Sequence, residues 1–224
     1  MTSCNLSDCF LCRNCIPQWK DLIALKKKTN SIKKGKTLFR EGDKVEGIFF
    51  LYSGSMKVHM HWGDQKELII RFAAAGDILG HRGLGGKEVY PISATALEDS
   101  IVCFITNEFF EATLQTNHIF SNQMLHVYAT ELQRAERRMR DIAHMEVKGR
   151  IAGALLEIAG QFGIDDENYI RLTIARQDIA SYAGTTYETV FKLFTELINN
   201  KIISTEGKRI QLLNVEQLKK FSES

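Results

Sequence analysis

Proline is almost missing from this chain of 224 residues, which carries only Pro17 and Pro91. A proline-rich, disordered composition is thereby excluded, and the punctuation between structural elements falls to glycine. No uninterrupted apolar run approaches the roughly 20 residues that a membrane helix needs. Met1 to Phe10 lacks the charged and apolar halves of a secretion signal, so a cytoplasmic protein without membrane contact is expected. Charge of one sign is also lacking: 29 Lys+Arg against 27 Asp+Glu leave a formal +2, with 25% charged and 44% apolar residues. That describes an ordinary core-forming chain, neither disordered nor polybasic. The chain contains no nucleophile paired with a base and no phosphate loop, so no enzyme is expected. Its length suits two modest domains.

Cysteine is scarce everywhere except at the start. Cys4, Cys9, Cys12 and Cys15 fall within the first fifteen residues, and Cys103 stands alone. In a chain without a secretion signal, clustered thiols point to metal ligands or redox groups before structural disulfides, because the cytosol keeps thiols reduced. Cys9-x2-Cys12-x2-Cys15 has a ferredoxin-like spacing, which lets three thiolates cap one face of a cubane while a remote fourth closes it. Two other readings of the same residues stay open: a Cys4-type zinc knot and a disulfide switch. Cys103, between Val102 and Phe104, also suits a buried small hydrophobe. A thioredoxin-like reading of Cys9-x2-Cys12 fails because no βαβ unit follows. His59 and His61 share one strand face and are metal or haem candidates, although solvent-facing strand histidines are commoner. His81 is the histidine best placed as a haem ligand.

From Gly35 to Gly80 glycines alternate with short apolar stretches, Ile48 to Tyr52, Met56 to Met60 and Leu68 to Phe72. This pattern predicts many short strands joined by tight turns, hence a sandwich or barrel. A further strand pair, Ile92 to Leu97 and Ser100 to Ile105, is expected to close around Glu98 and Asp99. After Thr106 the periodicity becomes helical, with a short helix at Asn107 to Leu114. From Leu125 a heptad runs through Leu125, Tyr128, Leu132, Ala135, Met139 and Ile142, the narrow seam of a coiled coil. Nothing charged lies on that seam, so a homodimer that assembles without its effector is expected. Arg134, Arg137, Arg138, Arg140 and Asp141 occupy the opposite face, read as solvated charge. Val147 to Phe162 predicts an amphipathic helix and Tyr169 to Ile174 a strand. The expected segments are 1–18 cysteine-rich, 19–115 β roll, 116–145 dimerisation helix and 146–224 DNA-binding.

Counted from Arg176, Ile179, Ala183, Val190 and Leu193 take the shared-core positions of a helix-turn-helix. Ala180 takes the small fifth position, which the second helix crosses, and Gly184 the turn position that needs φ > 0. Thr186 caps the second helix. Its outward residues are Thr185, Tyr187, Glu188, Phe191 and Lys192. Glu188 can accept from a cytosine amino group, Lys192 can reach guanine or a phosphate, and Phe191 can meet a thymine methyl. Thr186 and Thr189 suit phosphate oxygens. Ile202 to Ser204 and Arg209 to Leu213 predict a wing turning at Glu206-Gly207-Lys208, with Lys208 and Arg209 toward the backbone. Residues 146–224 hold ten Lys+Arg and eleven Asp+Glu, so affinity must rest on local placement and on dimerisation rather than on bulk charge.

The order of glycine-punctuated roll, long helix and winged helix-turn-helix resembles the CRP/FNR family of bacterial transcription regulators across nearly the whole chain. The carrying motifs are G-K-T-L-F-R-E-G-D from Gly35, Y-S-G-S-M-K-V from Tyr52, G-D-I-L-G from Gly76 and Y-E-T-V-F-K from Tyr187. The resemblance implies an α+β fold: an N-terminal cyclic-nucleotide-binding-like β roll (a double-stranded β-helix or jelly roll), a dimerisation helix and a winged helix-turn-helix. It implies a homodimer on pseudo-palindromic double-stranded DNA, with RNA polymerase as a further candidate partner. Lys192 stands where the family usually has arginine, which exchanges a bidentate fork for a point charge.

The family divides by effector. Its cyclic-nucleotide members use a G-E-L-like stretch with an arginine and a serine, whereas this chain has G-H-R-G-L-G from Gly80 and Ile92 before Ser93, so cyclic AMP is not expected. Cys15-Ile16-Pro17 and the strand context of Cys103 resemble the iron-sulfur oxygen sensors of the FNR branch. That implies a [4Fe-4S] cluster on Cys9, Cys12, Cys15 and Cys103, with Cys4 as an alternate ligand. The last gap in the cluster is two residues, against five in those sensors. Alternatives are the same DNA-binding role with haem, nitric oxide, structural zinc or no effector, or a ligand-binding module without a DNA role.

Overall fold

A computed structural model describes residues 9–63, 66–85 and 88–223. It divides into two compact units, Met1–Met60 with Ile70–Gln133 and His61–Ile69 with Arg134–Ser224. Among the described residues no helix is long and apolar enough to cross a membrane.

The described residues begin with α1 (Phe10–Asn14), a 3-10 turn at Pro17–Trp19 and α2 (Lys20–Lys26). Among the described residues eight strands follow: β1 (Lys28–Ile32), β2 (Thr37–Phe39), β3 (Gly47–Ser53), β4 (Met56–Trp62), β5 (Lys66–Ala73), β6 (Ile78–Leu79), β7 (Ser93–Ala96) and β8 (Ser100–Thr106). They form two four-stranded sheets, ordered β1-β8-β3-β6 and β2-β7-β4-β5. The expected pairing of β7 with β8 is therefore not made: β7 lies between β2 and β4, and β8 between β1 and β3. The segment Leu97 to Asp99 is a crossing between sheets rather than a hairpin turn, and Asp99 holds that corner by accepting from Lys33 Nζ at 2.7 Å and the Lys34 amide at 2.9 Å. Gly54, at φ +92°, has to be glycine on space as well as on backbone, since a Cβ there would stand 2.7 Å from Ser100 Cα.

Two apolar layers form because β3 and β8 are buried on both faces, and successive side chains point to opposite sides of a sheet. Phe49, Leu51 and Val102 meet Met56, Val58, Ala94 and Ala96 between the sheets. Ile48, Phe50, Cys103 and Ile105 face the other way, against Leu11, Ile23, Phe110, Phe120 and Met124. Full burial of such side chains contributes about 1.5–3 kcal/mol each. The helices that cover this outer face are α1, α2, α3 (Asn107–Thr116) and the start of α4 (His118–His144). Thr106 caps α3, its hydroxyl accepting from the Phe109 amide at 3.3 Å.

The second unit contains α5 (Val147–Phe162), α6 (Arg176–Ala183), α7 (Tyr187–Asn199), β9 (Ile203–Glu206), β10 (Arg209–Leu212) and α8 (Val215–Ser222). β9 and β10 pair antiparallel from Glu206↔Arg209, so the wing turns on Gly207 and Lys208 alone. The strand expected at Tyr169 to Ile174 does not form. Only isolated bridges occur there, Tyr169↔Gln211 and Ile170↔Ile164: the segment meets the edge of β10 only at its start, where the Ile170 amide donates to the Ile210 carbonyl at 2.9 Å, and then leads into α6.

Candidate functional site

The thiol site is assembled by α1 and β8. Cys103 sits opposite Phe50 in β3 and Thr29 in β1, and the two-residue alternation of β8 turns it outward with Ile105, toward the N-terminal helices. α1 is anchored above it by Phe10, whose ring lies 6.3 Å from that of Phe50 and 5.9 Å from that of Phe120. Downstream, Trp19 stacks on Phe109 at 6.0 Å and donates its indole N–H to Thr113 Oγ1 at 3.0 Å. The result is that Cys9, Cys12, Cys15 and Cys103 are all buried in one core layer, and none of the four is in a disulfide.

Cys9 occupies the N-cap of α1, and its sulfur accepts from the Cys12 amide at 3.5 Å. Hydrogen bonding to the Cys103 thiol, then to that of Cys12, holds the Cys9 thiol far below its ordinary range, at about 2, against the opposing pull of burial. Burial pushes the Cys15 thiol up to about 12, and the charge on Cys9 adds to that rise. Four thiols so placed act on one another. One thiolate is stabilised by its neighbours' S–H groups, and each further ionisation in this apolar layer needs positive charge beside it. A cationic metal centre supplies such charge, so the donor set fits one. Cys4 lies outside the described residues.

The helix-turn-helix is built by α6 and α7. Gly184 takes the left-handed conformation at φ +63° that the turn requires, and Ile179, Ala180, Ala183, Val190, Phe194 and Leu197 are buried. The Thr186 hydroxyl accepts from the Thr189 amide at 3.3 Å, capping α7. Thr186, Tyr187, Glu188, Phe191 and Lys192 are exposed on its first turns, while Thr185 and Thr189 are half-buried. The Glu188 carboxyl is held below its ordinary range by its own backbone amide and then by the Thr186 side chain. Lys208 is exposed at the wing tip. Arg209 is turned back, 2.9 Å from Asp165 and 4.1 Å above the Tyr169 ring. A cavity of about 300 Å³ between wing and reading helix is lined by Arg176, Gln177, Tyr187, Thr205 and Lys208, among others.

Two family models match the chain: the cyclic nucleotide-binding domain over residues 29–117 and the Crp-like helix-turn-helix domain over residues 149–221. The transcriptional activator protein Anr of Pseudomonas protegens is 31% identical over 220 residues, covering 94% of this chain and 89% of that protein. The chain belongs to the CRP/FNR family of transcription regulators. The fumarate and nitrate reduction regulatory protein of Vibrio cholerae is 28% identical over 220 residues, 94% of this chain and 87% of that one. In fold the chain is similar to FixK2 from Bradyrhizobium japonicum, with a TM-score of 0.78 at 23% identity over 88% of this chain and 98% of that one. The α+β architecture of roll, long helix and helix-turn-helix is thus that of a DNA-binding CRP/FNR regulator rather than of an enzyme.

The stretch from Gly80 is closed by an ionic knot. Glu131 of α4 lies 3.0 Å from His81 Nε2, 2.9 Å from Arg82 Nε and 3.2 Å from Arg71 Nε. Tyr128 donates its hydroxyl to the His81 carbonyl at 2.9 Å. His81, read as the best haem candidate, is 2% exposed and engaged with Glu131. His59 is buried, its Nε2 2.9 Å from Thr95 Oγ1, so it is not the solvent-facing residue that its strand position suggests; His61 is exposed. Along α4, Leu125 (68% exposed), Leu132 (61%) and Met139 (64%) stand bare with Tyr128, Ala135 and Ile142. Arg138, read as solvated, lies with its guanidinium 4.1 Å from the centroid of the Tyr182 ring. The sequence signal for these engaged charges was weak, because each depends on a partner distant along the chain.

Proposed function

We propose that this protein is a homodimeric, sequence-specific DNA-binding regulator whose state is set by an oxygen- or redox-sensitive [4Fe-4S] cluster held by Cys9, Cys12, Cys15 and Cys103. The observation that carries the reading is the convergence of these four thiols in one buried layer, with Cys9 hydrogen-bonded to the thiols of both Cys12 and Cys103. The names of the FNR and Anr relatives point the same way. When bound, the cluster would supply one-electron and oxygen-labile chemistry tuned by the hydrogen bonds and burial around its sulfurs.

The chain's own residues provide the coupling. The thiol layer includes Phe120 and Met124 of α4, so a change in how α1 packs is felt by that helix. Two turns further on, Glu131 ties α4 to His81 and to Arg71 and Arg82. The bare seam from Leu125 to Ile142 is where a second copy would pack, and the spacing of two reading helices on DNA follows from that packing, since half-sites must lie about one DNA turn apart. Glu188 and Lys192 would read base edges, with Thr185, Thr186, Thr189, Lys208 and Arg209 toward the backbone. Arg209 would have to leave Asp165 to do so. Cyclic AMP has no part in this reading, because His81, Arg82 and Glu131 bind one another in that stretch.

The test is the visible absorption, iron and sulfide content of protein purified without oxygen. A brown protein carrying iron and sulfide is expected. A colourless, zinc-containing protein would replace the sensory reading with a structural metal site.

A further inference from the structure

The reading helix carries an apolar face that the polar contacts above do not use. Tyr187 and Phe191, one turn apart on α7, are 43% and 50% exposed, with ring centroids 6.5 Å apart and planes 30° from parallel. Single exposed apolar residues are normal on protein surfaces. Two adjacent aromatic rings on the outward side of a helix whose inward side is already filled by Val190, Phe194 and Leu197 are not needed for the core.

The Phe191 ring is also backed. The Arg176 guanidinium lies 5.8 Å from its centroid and 5.4 Å from that of buried Phe194, and donates toward Thr205 Oγ1 of the wing at 3.5 Å. A ring held in this way meets a partner at little cost in side-chain entropy. Its surroundings indicate the partner. Lys192 is exposed on the same turns, and Arg176 and Lys208 line the adjoining cavity, which is the charge distribution that a polyanion requires.

A phenyl ring offers no donor or acceptor, so it reads no polar base edge. In the major groove the apolar group is the C5-methyl of thymine, which cytosine and the purines lack. We propose that Tyr187 and Phe191 are specificity-determining residues that select thymine, through its methyl group, at positions neighbouring the base pairs met by Glu188 and Lys192. The proposal rests on the DNA-binding reading and deepens it.

The experiment uses the full chain purified without oxygen and a randomised duplex library. Enriched sites are resynthesised with deoxyuridine at each recurrent thymine, which removes the methyl group and nothing else. Affinity is expected to fall about fourfold per contacted methyl, the factor that burial of one such group carries. The Phe191→Ala and Tyr187→Ala chains should lose the difference between thymine and uracil duplexes while keeping the wild-type melting temperature, since both side chains are exposed. Equal affinity of the wild type for the two duplexes, or discrimination that survives in the double variant, would overturn the assignment while leaving DNA binding intact. A library from which no sequence is enriched would overturn the DNA reading itself, and the assignment with it.

Discussion

His81 Nε2 and a Glu131 carboxylate oxygen lie 3.0 Å apart, joining the roll to the long helix inside a site where the His81 side chain is 2% exposed and that of Glu131 13%. Burial alone would raise the Glu131 carboxyl, but hydrogen bonding to His81 and the charges of His81, Arg71 and Arg82 hold it at about 2. Burial lowers the His81 imidazole below its ordinary value, against the pull of Glu131. Both shifts act in one direction. Below about pH 6.5 the unfolded chain binds a proton on histidine that the folded site refuses. Below about pH 4 it protonates a carboxyl that the fold keeps ionised. Stability should therefore fall as pH drops from 7 to 5, read as the urea midpoint of the roll, and His81→Gln should flatten that slope. Glu131→Ala leaves Arg71 buried without this partner and should cost about 3 kcal/mol at pH 7.

Alanine at Cys9, Cys12, Cys15 or Cys103 should each abolish iron retention in anaerobically purified protein, measured by metal analysis. Cys4→Ala should keep it if the four thiols of the buried layer are the ligands, as proposed. Iron loss in the Cys4 variant would move the ligand assignment.

The seam is tested by charge. Leu132 is 61% exposed in a heptad row that itself holds no charged residue, and Leu132→Asp would place two like charges together across a symmetric interface. Light scattering should show the wild type as a dimer with or without the cluster and this variant as a monomer. A stable monomeric wild type would remove the dimer.

Within the helix-turn-helix, Thr186→Ala should cost about 1 kcal/mol by removing the α7 cap. Gly184→Ala, forced to φ +63°, should cost about 1–2 kcal/mol through backbone strain. Both are read from thermal unfolding, and a melting temperature unchanged by Gly184→Ala would contradict the turn geometry.

The helix-turn-helix was legible because its constraints are local: Ala180 beneath a crossing, Gly184 in the turn and Thr186 at a cap are each dictated by immediate neighbours. The exposure of the Leu125 to Ile142 row likewise follows from a heptad repeat. What depended on partners far along the chain was not legible. β7 and β8 are joined by a three-residue segment that resembles a hairpin turn, yet each pairs only with strands from earlier in the chain. The stretch Tyr169 to Ile174 has strand composition, yet only its start meets the edge of β10 before the chain leads into α6. Cys103 could be placed on a strand but not on a face, since both faces of β8 are apolar. Arg71, Arg82 and Glu131 gave no sign in the sequence that they would meet.

Control of DNA binding by the buried thiols, as proposed, can be measured directly. The most direct measurement is the affinity of the anaerobically purified protein for one library-selected duplex, before and after exposure to air, beside the Cys103→Ala variant. A change of about tenfold or more is expected in the wild type, the scale of a modest coupling between two sites, with no response to air in the variant. Wild-type protein that binds the duplex equally in both states would contradict it.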